Sequence, residues 1–128
     1  MRKLLPILLS ALMFTGCASS NNQTNTYRQI SMDEAVTMMA KETGYIILDV
    51  RRADEFAEGH ISGAINVANE SIGTDEIPEL PDKDQLIMVY CRSGRRSKEA
   101  AEKLVKLGYT NIVEFGGILD WKGEITTD

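Results

Sequence analysis

The sequence predicts a single α/β domain with a mostly parallel sheet flanked by helices on both faces. The chain has 128 residues, and 43% of them are hydrophobic, which is the size and composition of one globular domain. Apolar runs of strand length alternate along the chain with segments of helical periodicity. Because strands that alternate with helices are typical of parallel sheets covered on both sides, these observations together predict the fold class.

The first half of the predicted domain begins with a helix. Ser31 and Glu34 have the spacing of a capping box, which predicts a helix through about Glu42 that Gly44 ends. The elements that follow are a strand over 45–50, a short helix over 53–58, a turn over 59–63 and a short strand over 64–67. The run 45–50 is continuously apolar up to an aspartate, which is typical of a strand buried on both faces.

The second half starts with a polar segment and then returns to the alternating pattern. Residues 70–84 contain Pro78 and Pro81, which predicts a loop with room for one helical turn. The remaining predicted elements are a buried strand over 85–90, a helix over 96–107 closed by Gly108, and a last strand over 111–115.

The N-terminal residues have the pattern of an export signal. Arg2 and Lys3 give a positive start, and residues 4–14 are almost entirely apolar. As a helix this apolar stretch would be about 16 Å long, roughly half the thickness of a bilayer's hydrocarbon core. We therefore predict a signal peptide over 1–16 rather than a membrane-spanning helix.

The end of this segment, Phe14-Thr15-Gly16-Cys17, resembles the lipobox of bacterial lipoproteins. The resemblance implies that Cys17 is lipidated and that residues 17–26, which carry no charge, form a flexible tether. Lipoproteins sent to the outer membrane of Gram-negative bacteria resemble this chain in having a residue other than Asp, here Ala18, after the cysteine. We therefore expect a lipid-anchored protein of a bacterial cell envelope, in the outer membrane and facing the periplasm. The usual residue three before the cysteine is Leu, whereas here it is Phe14, which leaves a soluble periplasmic protein as the alternative.

The charge balance limits the class of partner. Without residues 1–16 the chain keeps 12 basic and 19 acidic residues, a formal net charge of −7. An acidic domain argues against nucleic acid as a partner. The sequence gives no pattern of metal ligands, and we expect neither a metal nor a cofactor. Nothing in it indicates an oligomeric state.

One cysteine lies next to a cluster of arginines, which is unusual in a chain whose net charge is negative. Cys91 has no predicted intramolecular disulfide partner and comes directly after a predicted strand, where parallel sheets bind ligands. Arg92, Arg95 and Arg96 follow it at the start of a helix, where positive charge is unfavourable. The cluster therefore indicates an anion in the loop, either the thiolate of Cys91 or an oxyanion substrate. The alternative is an inert thiol beside a solvated basic helix start.

Three separated motifs resemble the rhodanese-like sulfurtransferases. They are LDVRRADEFAEGHISGAINV at 48–67, VYCRSGRRS at 89–97 and FGGILDWKGE at 115–124. The resemblance implies one rhodanese-like domain over 27–128 with a five-stranded parallel sheet. It also implies a loop whose N–H groups surround the cysteine, and ping-pong transfer of sulfur through a cysteine persulfide.

The resemblance assigns roles by position. Cys91 matches the family's nucleophile, and Arg96 stands where thiosulfate-type members carry arginine. The implied substrates are thiosulfate as the sulfur donor and cyanide or a thiol as the acceptor. The residues matching the cradle of the persulfide are Arg92, Ser93, Gly94, Arg95 and Arg96.

Other polar residues of these motifs are predicted to be structural. His60 lies in a turn motif that the family uses structurally. Asp49, Arg51 and Glu55 are expected to form an internal polar network rather than a second site.

Two other functions are compatible with a cysteine in such a loop. Phosphatases and arsenate reductases on the same fold carry five residues between the cysteine and the arginine, whereas four separate Cys91 from Arg96. The shorter loop suits a single sulfur better than a tetrahedral phosphate. A non-catalytic lipoprotein that binds sulfur or a partner protein is the third hypothesis, and the intact cysteine weighs against it.

Overall fold

The computed structural model of the chain describes residues 26–128. The predicted signal peptide over 1–16, Cys17 and the tether up to residue 25 lie outside the described residues, so those assignments stay predictions. Within the part that is described, no helix is long and apolar enough to cross a membrane.

A five-stranded parallel sheet forms the centre of the domain, as predicted. Its order is β1-β6-β5-β2-β4, and every pair of neighbours runs in parallel. The strands are β1 (Arg28–Gln29), β2 (Ile46–Asp49), β4 (Ile65–Asn66), β5 (Ile87–Cys91) and β6 (Ile112–Gly117). All five residues of β5 are buried, as expected for a central strand covered on both faces.

Helices cover both faces of this sheet. They are α1 (Met32–Lys41), α2 (Ala53–Glu58) and α3 (Arg95–Lys106). On one face α3 packs Ala100, Ala101 and Leu104 against the sheet. On the other face α1 contributes Ala35 and α2 contributes Phe56. The apolar periodicity of each helix thus buries one stripe against the sheet.

The remaining structure lies outside the central sheet. A second sheet of two antiparallel strands joins β3 (His60–Ile61) to β7 (Ile125–Thr126). In the described part of the chain, two short 3₁₀ helices, Asn69–Ser71 and Ile118–Asp120, are the remaining elements.

The helix α1 ends at Lys41 with Glu42 as its C-cap, in agreement with the predicted end at about Glu42. Two other features differ from the sequence-based expectation. The predicted turn over 59–63 contains β3, because residues 60 and 61 pair with residues 125 and 126 near the C-terminus. The first strand, β1, is only two residues long, too short for an alternating pattern to reveal it.

Candidate active site

The chain leaves the sheet at Cys91, the last residue of β5, and turns directly into α3. Cys91 is 1% exposed. Gly94 has φ of +117°, a conformation that strongly favours glycine, and this turn points its N–H toward the cysteine. That N–H donates to Cys91 Sγ at 3.0 Å. The loop thus supplies one backbone donor to the sulfur, and the wider cradle of N–H groups that the resemblance implies stays a prediction.

This loop packs against β6 through a close backbone contact. A Cβ atom at Gly117 would lie 2.0 Å from the carbonyl oxygen of Arg92, so only glycine fits there. The N–H of Leu119 also donates to that carbonyl oxygen, at 3.3 Å. Gly117, in the third motif, therefore supports the cysteine loop directly.

The three loop arginines occupy different environments. Arg92 and Arg95 are exposed, and Arg95 donates to Glu99 at 3.1 Å. Arg96 is only 18% exposed and donates from both terminal nitrogens to Glu55, at 2.7 and 3.1 Å. Arg96 is therefore held in a fixed orientation from α2, whereas the other two remain at the surface.

The pair between Arg96 and Glu55 shifts the pKa of both groups. The hydrogen bond from Arg96 lowers the pKa of Glu55 from its ordinary value of 4.5 to about 2. The same hydrogen bond raises the pKa of Arg96, with smaller contributions from the nearby Cys91 and Glu70. Both side chains are therefore charged at neutral pH.

An open cleft lies outside this loop. Its volume is about 490 Å³, and four arginines against two glutamates make its lining positive within an acidic domain. A groove of about 510 Å³ on α1 is similar in size, but no cysteine, serine or histidine lines it. Chemistry rather than size therefore identifies the site. The cleft is lined by Arg52, Glu55, Glu70, Arg92, Ser93, Arg95 and Arg96.

Two polar side chains beside the cysteine were missed by the sequence analysis. Ser97 Oγ lies 3.4 Å from Cys91 Sγ and 2.6 Å from Glu114 Oε2. Glu114 is 1% exposed. Its signal in the sequence was a single carboxylate inside the otherwise apolar run of β6, and Ser97 directly follows the loop arginines.

The predicted internal network is correct for two of its three members. Arg51 donates to Asp49 at 2.7 Å, and the hydroxyl of Tyr90 donates to Asp49 at 2.6 Å. Burial raises the pKa of Tyr90, and the hydrogen bond to Asp49 raises it further. Including Glu55 in this network was wrong, because α2 turns Glu55 outward to the cleft, where Arg96 binds it.

His60 contributes packing at a distance from the loop. Its Nδ1 lies 2.8 Å from the carbonyl oxygen of Phe56, so this nitrogen carries the hydrogen and donates. The ring stacks on Phe56 with centroids 3.6 Å apart. These contacts agree with the structural role predicted for His60. Among residues 26–128, no group of three or more His, Cys, Asp or Glu side chains is arranged to hold a metal ion.

Comparison with known sequences places these features in a family. Residues 31–124 match the family model described as a rhodanese-like domain. The chain is 36% identical over 73 residues to the thiosulfate sulfurtransferase PspE of Escherichia coli K12, covering 57% of this chain and 70% of that protein. It is 33% identical over 102 residues to the thiosulfate sulfurtransferase GlpE of Coxiella burnetii, covering 79% of this chain and 92% of that protein.

Solved structures show the same fold. A rhodanese from Escherichia coli, solved with anions, is similar with a TM-score of 0.60 at 31% identity, covering 66% of this chain and 99% of that one. A rhodanese-related protein from Thermoplasma volcanium has a TM-score of 0.66 at 28% identity, covering 80% of this chain and all of that one. The chain belongs to the rhodanese-like family.

Proposed function

We propose that the protein is a sulfurtransferase that takes a sulfur atom from thiosulfate and carries it on Cys91 as a persulfide. The observation that carries this proposal is the position of Cys91 Sγ, 3.0 Å from the N–H of Gly94, in a loop whose outer residues line an arginine-rich cleft. A nucleophile beside a positive anion site is what the reaction requires.

The first half-reaction is a displacement at sulfur. The Cys91 thiolate attacks the outer sulfur of thiosulfate and forms a new S–S bond. The bond between that sulfur and the sulfonate group breaks, and its electron pair leaves with sulfite. The transferred sulfur then lies within the loop, while the sulfonate is held in the cleft outside it.

The cleft supplies groups that suit a small oxyanion. A guanidinium has five N–H donors, and Glu55 takes two of those of Arg96. The other three have no acceptor among the described residues, so they can bind a sulfonate oxygen, and Arg92 can approach from the exposed side. Two relatives named as thiosulfate sulfurtransferases and a related rhodanese solved with anions support this choice of donor.

The second half-reaction regenerates the thiolate. Cyanide or a thiolate attacks the outer sulfur of the persulfide, forms a bond to it and releases the Cys91 thiolate. The product is thiocyanate or a new persulfide. No metal or cofactor takes part in either proposed step.

We further propose that the protein acts at the bacterial cell envelope, held by a lipid on Cys17. The support is the lipobox-like sequence ending at Cys17 and the uncharged tether that follows. The mature wild-type chain should begin at Cys17 and carry the added mass of a lipid there, and the Cys17→Ser chain should carry none. A wild-type chain with an unmodified Cys17 would contradict the lipid anchor.

A thiocyanate assay tests the proposed reaction. The full chain should form thiocyanate from thiosulfate and cyanide, and the Cys91→Ser chain should fall to background. The matched control is Cys17→Ser, which removes the other cysteine and should keep the activity. No thiocyanate from a folded chain would reject the thiosulfate assignment, and hydrolysis of a phosphate ester that depends on Cys91 would favour a phosphatase instead.

A further inference from the structure

A buried carboxylate lies one hydroxyl group away from Cys91. Ser97 Oγ lies 3.4 Å from Cys91 Sγ and 2.6 Å from Glu114 Oε2. The N–H of Gly116 also donates to that carboxylate oxygen, at 2.9 Å. Sulfur, hydroxyl and carboxylate therefore form a continuous row from β5 through α3 to β6.

Within residues 26–128, Glu114 has no positively charged partner that would balance a negative charge. It is 1% exposed, and no Lys, Arg or His of residues 26–128 forms an ion pair with it. Its two hydrogen bonds to described residues both reach Oε2, which leaves Oε1 without one. A buried carboxylate in such a place is stabilised either by hydrogen bonds or by taking up a proton.

The distances favour one direction for the hydrogen bonds in the state that has a thiol and a carboxylate. The single hydroxyl hydrogen of Ser97 has two close acceptors, Glu114 Oε2 at 2.6 Å and the carbonyl oxygen of Gly94 at 3.0 Å. The shorter bond to a charged group is the stronger one. Ser97 therefore donates to Glu114, and its oxygen accepts the hydrogen of the Cys91 thiol.

We propose that Cys91 and Glu114 share one proton through Ser97. In the step that forms the thiolate, the thiol hydrogen passes to Ser97 Oγ while the hydroxyl hydrogen of Ser97 passes to Glu114 Oε2. Cys91 becomes negative, Glu114 becomes a neutral acid, and the net charge of the site stays the same. The hydroxyl of Ser97 then donates to the sulfur, which adds a second donor to the N–H of Gly94.

The charged groups around the pair support this exchange. Arg96 on α3 is a positive group close enough to Cys91 for the sulfur to contribute to its raised pKa, and the amine of Lys98 lies next to Gly94. Tyr27 faces Glu114 from the chain before β1, and burial together with Glu102 and Glu114 raises the pKa of its hydroxyl. Because two anions one hydroxyl apart in a buried site repel each other, the pair should lose its two protons in separate steps.

The role of this pair in sulfur transfer rests on the proposed function, but its existence can be tested without thiosulfate. The rate of Cys91 alkylation by iodoacetamide reports the thiolate at each pH. It can be followed in the full chain by mass, on the tryptic peptide of residues 84–92, which contains Cys91 and none of the substituted positions.

The wild-type alkylation rate should rise in two steps with pH, separated by an intermediate plateau, and Glu114→Gln should show a single step. At the plateau Ser97→Ala should react roughly tenfold more slowly than wild type, the effect of losing one hydrogen bond to a charged group. Ser97→Thr keeps the hydroxyl and should restore the plateau. A merely structural contact between α3 and β6 would leave one step, at the same pH, in wild type and Glu114→Gln, which would overturn the proposal.

An infrared measurement on the wild type keeps the test independent of how the variants fold. The difference between the spectra before and after alkylation of Cys91 isolates the protonated-acid band that belongs to the shared proton. That band should disappear when iodoacetamide alkylates Cys91, because the neutral thioether lets Glu114 release its proton. Absence of any change in this region on alkylation would overturn the proposal, whether or not the chain transfers sulfur.

Discussion

Two arginine–carboxylate pairs of the same length occupy opposite environments in this domain. Arg51 and Asp49 are 2.7 Å apart with side chains 7% and 0% exposed. Arg96 and Glu55 are also 2.7 Å apart, but their side chains are 18% and 14% exposed and line the cleft. The difference in burial separates a structural pair from one that a substrate can reach.

The hydrogen bonds of the two pairs show why this separation matters. Asp49 accepts from the side chain and the main-chain N–H of Arg51 and from Tyr90, while Arg51 also donates to the carbonyl oxygen of Gly59. This buried pair is internally satisfied. Arg96 keeps three N–H donors after binding Glu55, and they lie beside an open, positive cleft. The same chemical pair thus stabilises the fold in one place and can bind an anion in the other.

Breaking the buried pair should have the largest effect on the protein. Arg51→Met leaves the Asp49 carboxylate buried without its counter-charge, which should lower the free energy of unfolding by about 3–5 kcal/mol. Urea unfolding followed by circular dichroism measures this change. The neighbouring Arg52→Met is the matched control, because its pair with Asp54 is exposed, and its unfolding midpoint should stay near wild type. Equal midpoints for both variants would contradict the contrast in burial.

Replacing the arginine of the cleft pair, Arg96, should weaken the binding of thiosulfate. Arg96→Gln should raise the KM for thiosulfate by roughly tenfold or more, because a charge-assisted contact to the oxyanion is lost. Steady-state kinetics measure it, with Arg28→Gln as the control on the far edge of the sheet. An unchanged KM would mean that Arg96 serves only to hold Glu55.

Removing the carboxylate of the same pair, Glu55, should have the smallest effect on stability, and the size of that effect should depend on pH. Because Arg96 lowers the pKa of Glu55 to about 2 from 4.5, the pair stabilises the fold above pH 4.5 and stops doing so as the pH falls toward 2. Glu55→Gln should therefore be less stable than wild type at pH 6, by on the order of 1 kcal/mol. The difference should shrink between pH 4.5 and 2, as thermal unfolding at both ends would show. A difference independent of pH would contradict an origin in the ion pair.

The fold and the position of the loop could be predicted from the sequence, whereas most contacts between side chains could not. The apolar runs and the cysteine, arginine and glycine spacing were local signals, and the structure has the corresponding strands, helices and loop. The pairing of Glu55 with Arg96 spans 41 residues, and that of Ser97 with Glu114 joins a helix to a neighbouring strand. Such contacts depend on how α2, α3 and β6 pack, which one sequence without structure does not determine.

The glycines of the third motif show that backbone contacts are equally hard to predict from the sequence. Gly117 is required because the carbonyl oxygen of Arg92 would collide with a side chain there. The sequence presents only two adjacent glycines, which predict close packing without naming its partner. In the structure, Gly117 packs against Arg92 of the cysteine loop.

The most direct test of the account is the intact mass of the chain after incubation with thiosulfate. The full chain carrying Cys17→Ser has Cys91 as its only thiol, and a second chain that also carries Cys91→Ser is the control. The account predicts a gain of one sulfur atom in the first chain and none in the control, with the added sulfur lost when cyanide is supplied. No gain in a folded first chain, or an equal gain in both, would contradict transfer through a Cys91 persulfide.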